Sequence, residues 1–253
     1  MTSTAIPNYM DRCLRRETLN SYERVSASHK ENALAESKEV LDRIELLSVQ
    51  HKDREATESY IASRFEAVHQ ARIRHFLPFL ISVKQAQQRV AAMGIQPGHS
   101  GPMFLEQYLS SPVEQQIAAL EKQPVSRDQI VEIGNLVVSH KPAGFMLFLL
   151  IASALSRAGF KWMTFTATPV VEKMIQRLGY SPFHLAEASA ECLGDAAGEW
   201  GLYYEKHPRV MVGNLVDAQK HIQSCSQLNQ AVKPFQHDIY CLAADIVRQL
   251  QGV

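Results

Sequence analysis

The sequence lacks the features that mark a nucleic-acid-binding, secreted or membrane-spanning protein. Its 26 Lys and Arg residues balance 26 Asp and Glu residues, so no basic patch for nucleic acid is indicated. The N-terminal residues contain no apolar segment of the secretory type. The most apolar run, residues 145–155, is well short of the roughly 20 residues of a membrane-spanning helix. These absences favour a cytoplasmic protein without a membrane span.

The cysteines, histidines and glycines form none of the common catalytic or metal-binding motifs. Cys13, Cys192, Cys225 and Cys241 are scattered without a C-x-x-C pair, which predicts reduced thiols. The sequence has no H-E-x-x-H, no G-x-x-x-x-G-K-[ST] and no G-x-S-x-G, so zinc-protease, P-loop and α/β-hydrolase chemistry is not expected. We expect no metal site and no tightly bound cofactor.

The composition is that of a globular protein, with 46% hydrophobic residues, 12 Gly and 11 Pro. Residues 20–56 are polar, and apolar positions 41, 44, 46 and 47 give a weak helical stripe. Residues from about 215 to the end also have a helical pattern. We therefore predict a helical N-terminal extension (1–56), a central domain (57–215) and a helical C-terminal tail (216–253).

Strand and helix patterns alternate in the central domain. The predicted strands cover residues 74–83 with Pro78 at an edge or bulge, and 88–95, 130–138, 162–168, 181–186, 201–205 and 209–213. One or two short helices are predicted within 105–120. A turn at 142–144 precedes an apolar, buried helix over 145–157, and Thr168, Pro169 and Gly179 bound another helix. The alternation predicts α/β layering, with residues 130–186 as a right-handed parallel crossover unit.

Five motifs resemble, in order and spacing, those of the thermostable-haemolysin family. They are FLEQYL (104–109) with Glu114 downstream, VEIGNL (131–136), FTAT (165–168), RLG (177–179) and WGLYYEKHPRVMVGNL (200–215). That family is similar to GNAT-type N-acyltransferases and acyl-homoserine-lactone synthases. The resemblance implies an α/β (α+β) fold: a central mixed sheet flanked by helices, whose fourth and fifth strands splay apart to admit an acyl-pantetheine arm. Here those strands are VEIGNLVV and WMTFTAT.

The implied reaction moves an acyl group from a thioester to an amine, which needs a base, an oxyanion site and a proton for the leaving thiolate. Glu132 is the candidate base, because its apolar neighbours favour a raised pKa. The alternative is a structural carboxylate that pairs with an Arg or caps a backbone amide. Tyr204 is a candidate acid, with Tyr203 on the opposite side of the same strand. Glu106, with Glu114, is a candidate for pairing with the amine.

Substrate contacts are expected from polar side chains on the two central strands. Thr164, Thr166 and Thr168 alternate on one face, where they line a pocket or simply fill the β-surface. Asn135 faces away from Glu132 on a regular strand, unless a bulge at Gly134 turns it. Trp200 and Tyr203 are the remaining candidates.

The phosphate-binding segment departs from that of acetyl-CoA enzymes. Only Gly144 remains of the glycine-rich loop, and Pro142 removes a donor. Lys141 can meet a phosphate as a point charge, and Val137 and Val138 precede it on the strand. A phosphopantetheine donor on an acyl-carrier protein fits this weak cradle, with acyl-CoA as the alternative.

Three functions remain open at this point. The first is an N-acyltransferase that takes an acyl-carrier-protein or CoA thioester and a small-molecule amine. The second is a haemolysin-like membrane-active protein, and the third is a catalytically silent module that binds a carrier protein. The terminal extensions are candidates for docking a partner or for pairing two copies as a homodimer.

Overall fold

The computed structural model describes residues 43–139 and 141–250, which form one seven-stranded mixed sheet with helices on both faces. The strands are β1 (Arg43–Leu47), β2 (Phe79–Gln85), β3 (Gln88–Pro97), β4 (Ile130–Val138), β5 (Trp162–Ala167), β6 (Phe183–Glu187) and β7 (Arg209–Asn214). The helices are α1 (Arg54–His69), α2 (Val113–Glu121), α3 (Lys141–Arg157), α4 (Pro169–Arg177), α5 (Leu215–Ser224), α6 (Ser226–Val232) and α7 (Gln236–Leu250). The 3₁₀ helices are Gly98–Ser100, Phe104–Tyr108, Arg127–Gln129, Ala190–Trp200, Tyr204–Lys206 and Lys233–Phe235.

The sheet runs in the order β1-β2-β3-β4-β5-β7-β6. Strands β1 to β4 are antiparallel neighbours, β4 and β5 are parallel, and β7 is antiparallel to both β5 and β6. This confirms the predicted GNAT-like mixed sheet and its fourth and fifth strands. The expectation of a parallel unit across 130–186 holds for β4 and β5. It was wrong for β6, which is not the neighbour of β5 because β7 lies between them.

The long apolar helix α3 is the centre of the larger core. Its residues 145–152 are all buried, because one side of the helix packs on β3 and β4 and the other on α5, α6 and α7. The opposite face of the sheet is covered by α1, α2 and the 3₁₀ helices Phe104–Tyr108, Ala190–Trp200 and Tyr204–Lys206. Neighbouring residues of β2 point to opposite faces of the sheet: Ile81 packs into the α3 core, and Leu80 packs into the cluster under α1.

The predicted helical N-terminal extension was wrong at residues 43–53, whereas residues 54–56 begin the helix α1. Residues 43–47 form the edge strand β1 and not a helix. Leu46 packs into the α3 core and Leu47 into the α1 cluster, so both faces of this strand are covered. A strand buried on both faces has adjacent apolar residues, and over so short a stretch these imitate a helical stripe. Residues 1–42 of the predicted extension lie outside the described part of the chain.

Two further expectations on local structure differ from the fold. The predicted turn at 142–144 is the first turn of α3, where a proline costs little because its missing N–H would have no helical partner. The predicted strand at 201–205 is a turn leading into a 3₁₀ helix, although its aromatic composition is typical of strands. Pro78 immediately precedes β2, so it removes no sheet hydrogen bond.

Other helix boundaries agree with the sequence. Proline occupies the first position of α4 after Thr168, and Gly179 follows the helix with φ +88°. A Cβ on Gly179 would lie 2.3 Å from Nε2 of His221, so glycine is needed here for both conformation and space. The tail is helical through α7, whose Ile239 and Ile246 pack into the α3 core. No helix among the described residues is long and apolar enough to cross a membrane.

Candidate active site

Strands β4 and β5 diverge part-way along their length. They pair from Ile130 with Trp162 to Ile133 with Phe165, yet β4 continues to Val138 and β5 to Ala167. Beyond Ile133 the edge of β4 that faces β5 therefore has no strand partner in the described part of the chain. This is the splay that the sequence resemblance implies, and it opens the sheet at its centre.

A β-bulge in β4 marks the start of the gap. On the β3 side Gly94 pairs with Gly134 and Ala92 with Val137, so β4 contains one extra residue. Asn135 takes the left-handed conformation, with φ +51°. Its side-chain oxygen accepts a hydrogen bond from Leu77 N at 3.0 Å, and its amide donates to His75 O at 3.2 Å. The structure thus contains the bulge that the sequence analysis considered as an alternative at Gly134. Through its two hydrogen bonds, Asn135 fixes the segment that precedes β2.

A cavity of about 540 Å³ occupies the gap and passes through the sheet. Phe148, from the α3 core, lines it on one face, and Phe65, from the α1 cluster, lines it on the other. Seven of the residues singled out in the sequence meet in its wall: Glu132, Asn135, Thr166, Thr168, Trp200, Tyr203 and Tyr204. The cavity is thus open to two compartments, one on each face of the sheet.

Glu132 is a buried carboxylate in the cavity wall, with 3% of its surface exposed. Its neighbours Val131 and Ile133 belong to the α3 core, so Glu132 points to the α1 face. Its oxygens accept hydrogen bonds from Phe104 N at 2.8 Å and Leu105 N at 2.9 Å. Burial raises the pKa of Glu132 to about 7, while these backbone donors act in the opposite direction. The group therefore changes charge near neutral pH.

Glu106 does not occupy the position expected of a residue that binds the amine. Arg127 donates to both of its oxygens, at 2.7 and 2.6 Å, and to Glu114 at 2.6 Å. This guanidinium lowers the pKa of Glu106 to about 2. Neither Glu106 nor Glu114 lines the cavity. Their carboxylates hold the Phe104–Tyr108 segment in place, and that segment in turn binds Glu132.

The two neighbouring tyrosines both face the cavity, because they lie in a turn and not in a strand. The Tyr204 hydroxyl shares a hydrogen bond with the Tyr108 hydroxyl. Tyr203, which is buried, donates to Thr166 O at 3.4 Å. Burial raises the pKa of Tyr204 to about 12 and also raises the pKa of Tyr203. Both hydroxyls stay protonated near neutral pH, and that of Tyr203 is already committed to Thr166 O.

His69 is a cavity residue that the sequence analysis did not single out. It lies at the end of α1, and its Nδ1 is buried without a hydrogen-bond partner among the described residues. Burial, and secondarily the charge of Lys206, lower the pKa of His69, which favours a neutral ring with a free acceptor. A lone histidine on a polar helix gives no spacing signal, so nothing in the sequence pointed to it.

The residues expected to bind the donor lie beside the cavity and not in its wall. Gly144 is a packing glycine, since a Cβ there would lie 3.1 Å from Met174 Sδ. Val138 O accepts a hydrogen bond from Arg64 Nη2 at 3.4 Å, where β4 leads toward α3. Lys141 begins α3, and its side chain, like residue 140, lies outside the described part. Val137, which was also expected to bind the donor, does not line the cavity either.

No cluster of three or more His, Cys, Asp or Glu side chains suited to a metal ion occurs among the described residues. Thr164, which was expected to contact substrate, is fully buried, and its hydroxyl donates to Val131 O at 3.3 Å. The wall therefore offers acid–base and hydrogen-bonding groups: a carboxylate, the imidazoles of His69 and His75, and tyrosine hydroxyls.

Comparison with known proteins places this site in a family. The family model described as thermostable hemolysin matches residues 47–219. The chain belongs to the thermostable hemolysin family. The match contains β2 to β7 and the last residue of β1, and so includes the whole wall of the cavity. No match was found among curated proteins.

Solved structures that resemble this chain include an AHL synthase, an N-acyl amino acid synthase and an aminoglycoside acetyltransferase. The AHL synthase LasI is 11% identical, with 68% of this chain and 89% of that chain covered and a TM-score of 0.48. FeeM, an N-acyl amino acid synthase from uncultured soil microbes, is 12% identical over 71% and 93%, with a TM-score of 0.49. The aminoglycoside acetyltransferase AAC(6')-Ib is 10% identical over 72% and 100%, with a TM-score of 0.46. At these identities the likeness is one of fold.

Proposed function

We propose that this thermostable hemolysin family member is an N-acyltransferase. It moves an acyl group from a pantetheine thioester, carried by an acyl-carrier protein or by CoA, to the amine of a small molecule. The observation that carries the proposal is the cavity that passes through the sheet where β4 and β5 part, with Glu132 in its wall. A thioester in the gap and an amine on the α1 face then meet beside a carboxylate whose pKa is near 7.

The gap suits an extended pantetheine arm. Backbone N–H and C=O groups of β4 beyond Ile133 that face β5 lack a strand partner, and unpaired groups of this kind favour an added extended segment. The amide groups of pantetheine supply such a partner. Leu136, Phe148 and Val171 give the α3 side of the cavity an apolar lining, which fits an acyl chain.

The chemistry follows from the groups in the wall. The amine nitrogen attacks the thioester carbonyl and forms a C–N bond, and Glu132 accepts the proton that this nitrogen loses. Unpaired N–H groups of β4 stabilise the oxyanion. The C–S bond then breaks, Tyr204 donates a hydrogen bond to the departing thiolate, and the proton from Glu132 converts the thiolate to a thiol. The products are an amide and free pantetheine thiol.

The donor phosphate is assigned to the start of α3, beside the end of β4. Pro142 leaves this helix with one fewer N–H donor. Arg64 lies close by, because it donates to Val138 O, and its Nε is buried without a partner among the described residues. The small number of donors among the described residues here favours the single phosphate of phosphopantetheine, and hence a carrier protein over CoA.

The test is a thiol-release assay with purified protein. Acyl-carrier-protein and acyl-CoA thioesters of several chain lengths are incubated with a panel of amines, and free thiol and amide are measured. We expect amine-dependent thiol release that Glu132→Gln abolishes while the variant remains folded. Folded protein that binds loaded carrier protein more tightly than unloaded, yet releases no thiol with any pair, would instead establish a silent binding module.

The membrane-active alternative is not favoured by the position of the most apolar segment. Residues 145–152 are buried between the sheet and helices α5 to α7, so they are not presented at the surface where lipid insertion begins. Dye release from liposomes by the folded protein tests this alternative directly.

A further inference from the structure

The α1 side of the cavity is walled by aromatic rings. Neighbouring ring centroids lie 5.3 to 6.4 Å apart, so the rings form one continuous surface. The rings are those of Phe65, Phe104, Tyr108, Trp200, Tyr203 and Tyr204, all of which line the cavity. The faces of such rings carry partial negative charge and attract cations.

The charged groups of the wall point to the same kind of ligand. Among the described residues, Glu132 is the one carboxylate that lines the cavity. No described lysine or arginine side chain lines it, and the imidazoles of His69 and His75 are its other ionisable nitrogen groups. The nearby guanidinium of Arg127 is occupied by Glu106, Glu114 and two backbone carbonyls. An anionic group on the ligand would find no described lysine or arginine side chain in this wall, whereas a cation would find both rings and a carboxylate.

The rings and the carboxylate meet at one residue. Phe104 contributes its ring to the wall, and its backbone N–H donates to Glu132 at 2.8 Å. The ring of Trp200 lies 5.5 Å from that of Phe104. A cation held against these rings is therefore beside Glu132, on the face of the sheet to which that carboxylate points.

We propose that this aromatic compartment binds a cationic amine that carries no acidic group next to the nitrogen. Its chemical class is that of alkyl ammonium compounds such as amino alcohols and polyamines. Under the proposed function, on which this part of the inference rests, that amine is the acyl acceptor.

The proton balance of the reaction gives a role to a second cavity group. An ammonium has three N–H bonds and the amide product has one, so two protons must leave the nitrogen. One reaches the thiolate by way of Glu132. The other needs a separate acceptor, and the imidazole of His69 lines the same cavity, with its ring 5.2 Å from that of Tyr203. His69 then releases this proton to solvent.

The binding test uses three ligands of nearly equal shape that cannot be N-acylated. Choline is a cation, 3,3-dimethylbutan-1-ol is its uncharged counterpart, and glycine betaine adds a carboxylate to the cationic head. Binding is followed by tryptophan fluorescence in the full chain carrying Trp162→Phe, which leaves Trp200 as the single tryptophan. Trp162 does not line the cavity, and a thermal melt confirms that this variant is folded.

We expect choline to bind at least tenfold more tightly than either of the other two ligands. In calorimetry with the full chain that retains Trp162, Trp200→Leu should weaken choline binding by tenfold or more, and Trp200→Phe, which keeps a ring, by less. Equal affinity for the uncharged alcohol, tighter binding of glycine betaine, or an unchanged affinity in Trp200→Leu overturns the proposal.

A second measurement separates this inference from the proposed function. The thiol-release assay is run with matched amines, such as ethanolamine and glycine. Thiol release with ethanolamine and not with glycine supports both the acyltransferase function and the cationic acceptor. Release with glycine and not with ethanolamine keeps the acyltransferase and overturns the cationic acceptor. Choline binding that depends on Trp200, with no release from any donor, keeps the cation site and removes the acyltransferase.

Discussion

Arg127 holds Glu106 by a two-pronged ion pair, with 2.7 Å from Nη1 to Oε1 and 2.6 Å from Nη2 to Oε2. Glu106 in turn accepts a hydrogen bond from Met103 N and another from Val113 N. These contacts fix the 3₁₀ helix Phe104–Tyr108, whose first N–H groups bind Glu132. The position of the candidate base thus depends on an ion pair that lies outside the cavity.

Replacing Arg127 with lysine should loosen this arrangement. Lysine is a point charge and cannot hold both oxygens of Glu106 together with Glu114 and the carbonyls of the neighbouring turn. We expect Arg127→Lys to lower the unfolding free energy by about 2 kcal/mol and to shift the pKa seen in the pH profile of kcat/KM. Urea unfolding and the pH profile measure the two effects.

The matched control for that variant is Arg209→Lys. Arg209 is 44% exposed and pairs with Glu172 and Glu187 on the surface, where such pairs contribute at most about 1 kcal/mol. It does not line the cavity. Equal losses of stability and an unmoved pH profile in both variants would contradict a positioning role for Arg127.

Glu132→Gln should lower kcat/KM by about two to four orders of magnitude, the usual contribution of a general base. In the wild type, activity should rise with pH through a limb near 7, because burial raises the pKa of Glu132 to about 7. Steady-state rates from about pH 5 to pH 9 reveal the limb. Thr164→Val is the control, since Thr164 is the neighbour of Glu132 on β5 but does not line the cavity, and its rate should change little.

The same carboxylate should leave a signature in stability. The folded-state pKa of Glu132, about 7, lies above its ordinary value of 4.5. Its stabilising contribution is therefore complete below about pH 4.5 and is lost as the pH rises through 7, which amounts to about 3 kcal/mol. Glu106, whose pKa is lowered to about 2, acts with the opposite sign, and its contribution is lost only as the pH falls from about 4.5 through 2.

Urea unfolding at about pH 5 and pH 8 isolates this contribution. We expect the unfolding free energy of the wild type to decrease from pH 5 to pH 8 by more than that of Glu132→Gln does. Any hydrogen bond that glutamine fails to accept from Phe104 or Leu105 is missing at both pH values, so it cancels in the comparison. Parallel pH dependence in the two proteins would show that the Glu132 pKa is not raised.

The sequence was most informative where one physical requirement dominates. Ile130–Val138 and Trp162–Ala167 are central strands, covered on both faces, and their near-continuous apolar runs identified them before the fold was known. The family motifs then indicated that these strands splay. Glu132 stood out because a carboxylate inside such a run needs either a partner or a function.

The site was less predictable where tertiary context decides. The aromatic run at 200–204 has the composition of a strand, but its rings pack on one another beside the cavity, so the chain turns there. Glu106 became a structural ion-pair partner only because Arg127, which lies 21 residues away, reaches it. His69 depends on the fold to bring the end of α1 against Tyr203. The local sequence pattern predicts none of these three contacts, because each joins residues that only the fold brings together.

The bulge at Asn135 gives a prediction with an internal control. Asn135 is in the left-handed region and ties Leu77 and His75 to the edge of the cavity. Asn135→Gly keeps the backbone conformation but loses the side-chain hydrogen bonds, whereas Asn135→Ala loses the bonds and also strains the backbone. We expect both variants to raise KM and alanine to cost about 1 kcal/mol more in unfolding free energy. Equal stability of the glycine and alanine variants would contradict a left-handed backbone conformation at residue 135.

A last prediction concerns the length of the acyl chain. A second cavity of about 270 Å³ lies against the first on the α3 side, and Phe148 and Phe165 line both. These rings separate the two spaces and should limit the chain that the donor can carry. Phe148→Leu removes part of the partition, so we expect the ratio of kcat/KM for long over short acyl donors to rise by tenfold or more.

Phe145→Leu is the appropriate comparison for that variant. Phe145 is buried on the same helix but lines neither cavity, so it should lose a similar amount of stability, about 1–2 kcal/mol, without a change in chain preference. If both variants shift the preference equally, the effect comes from loosened packing of α3. If neither does, the acyl chain does not reach the partition, and the donor must end its chain within the first cavity.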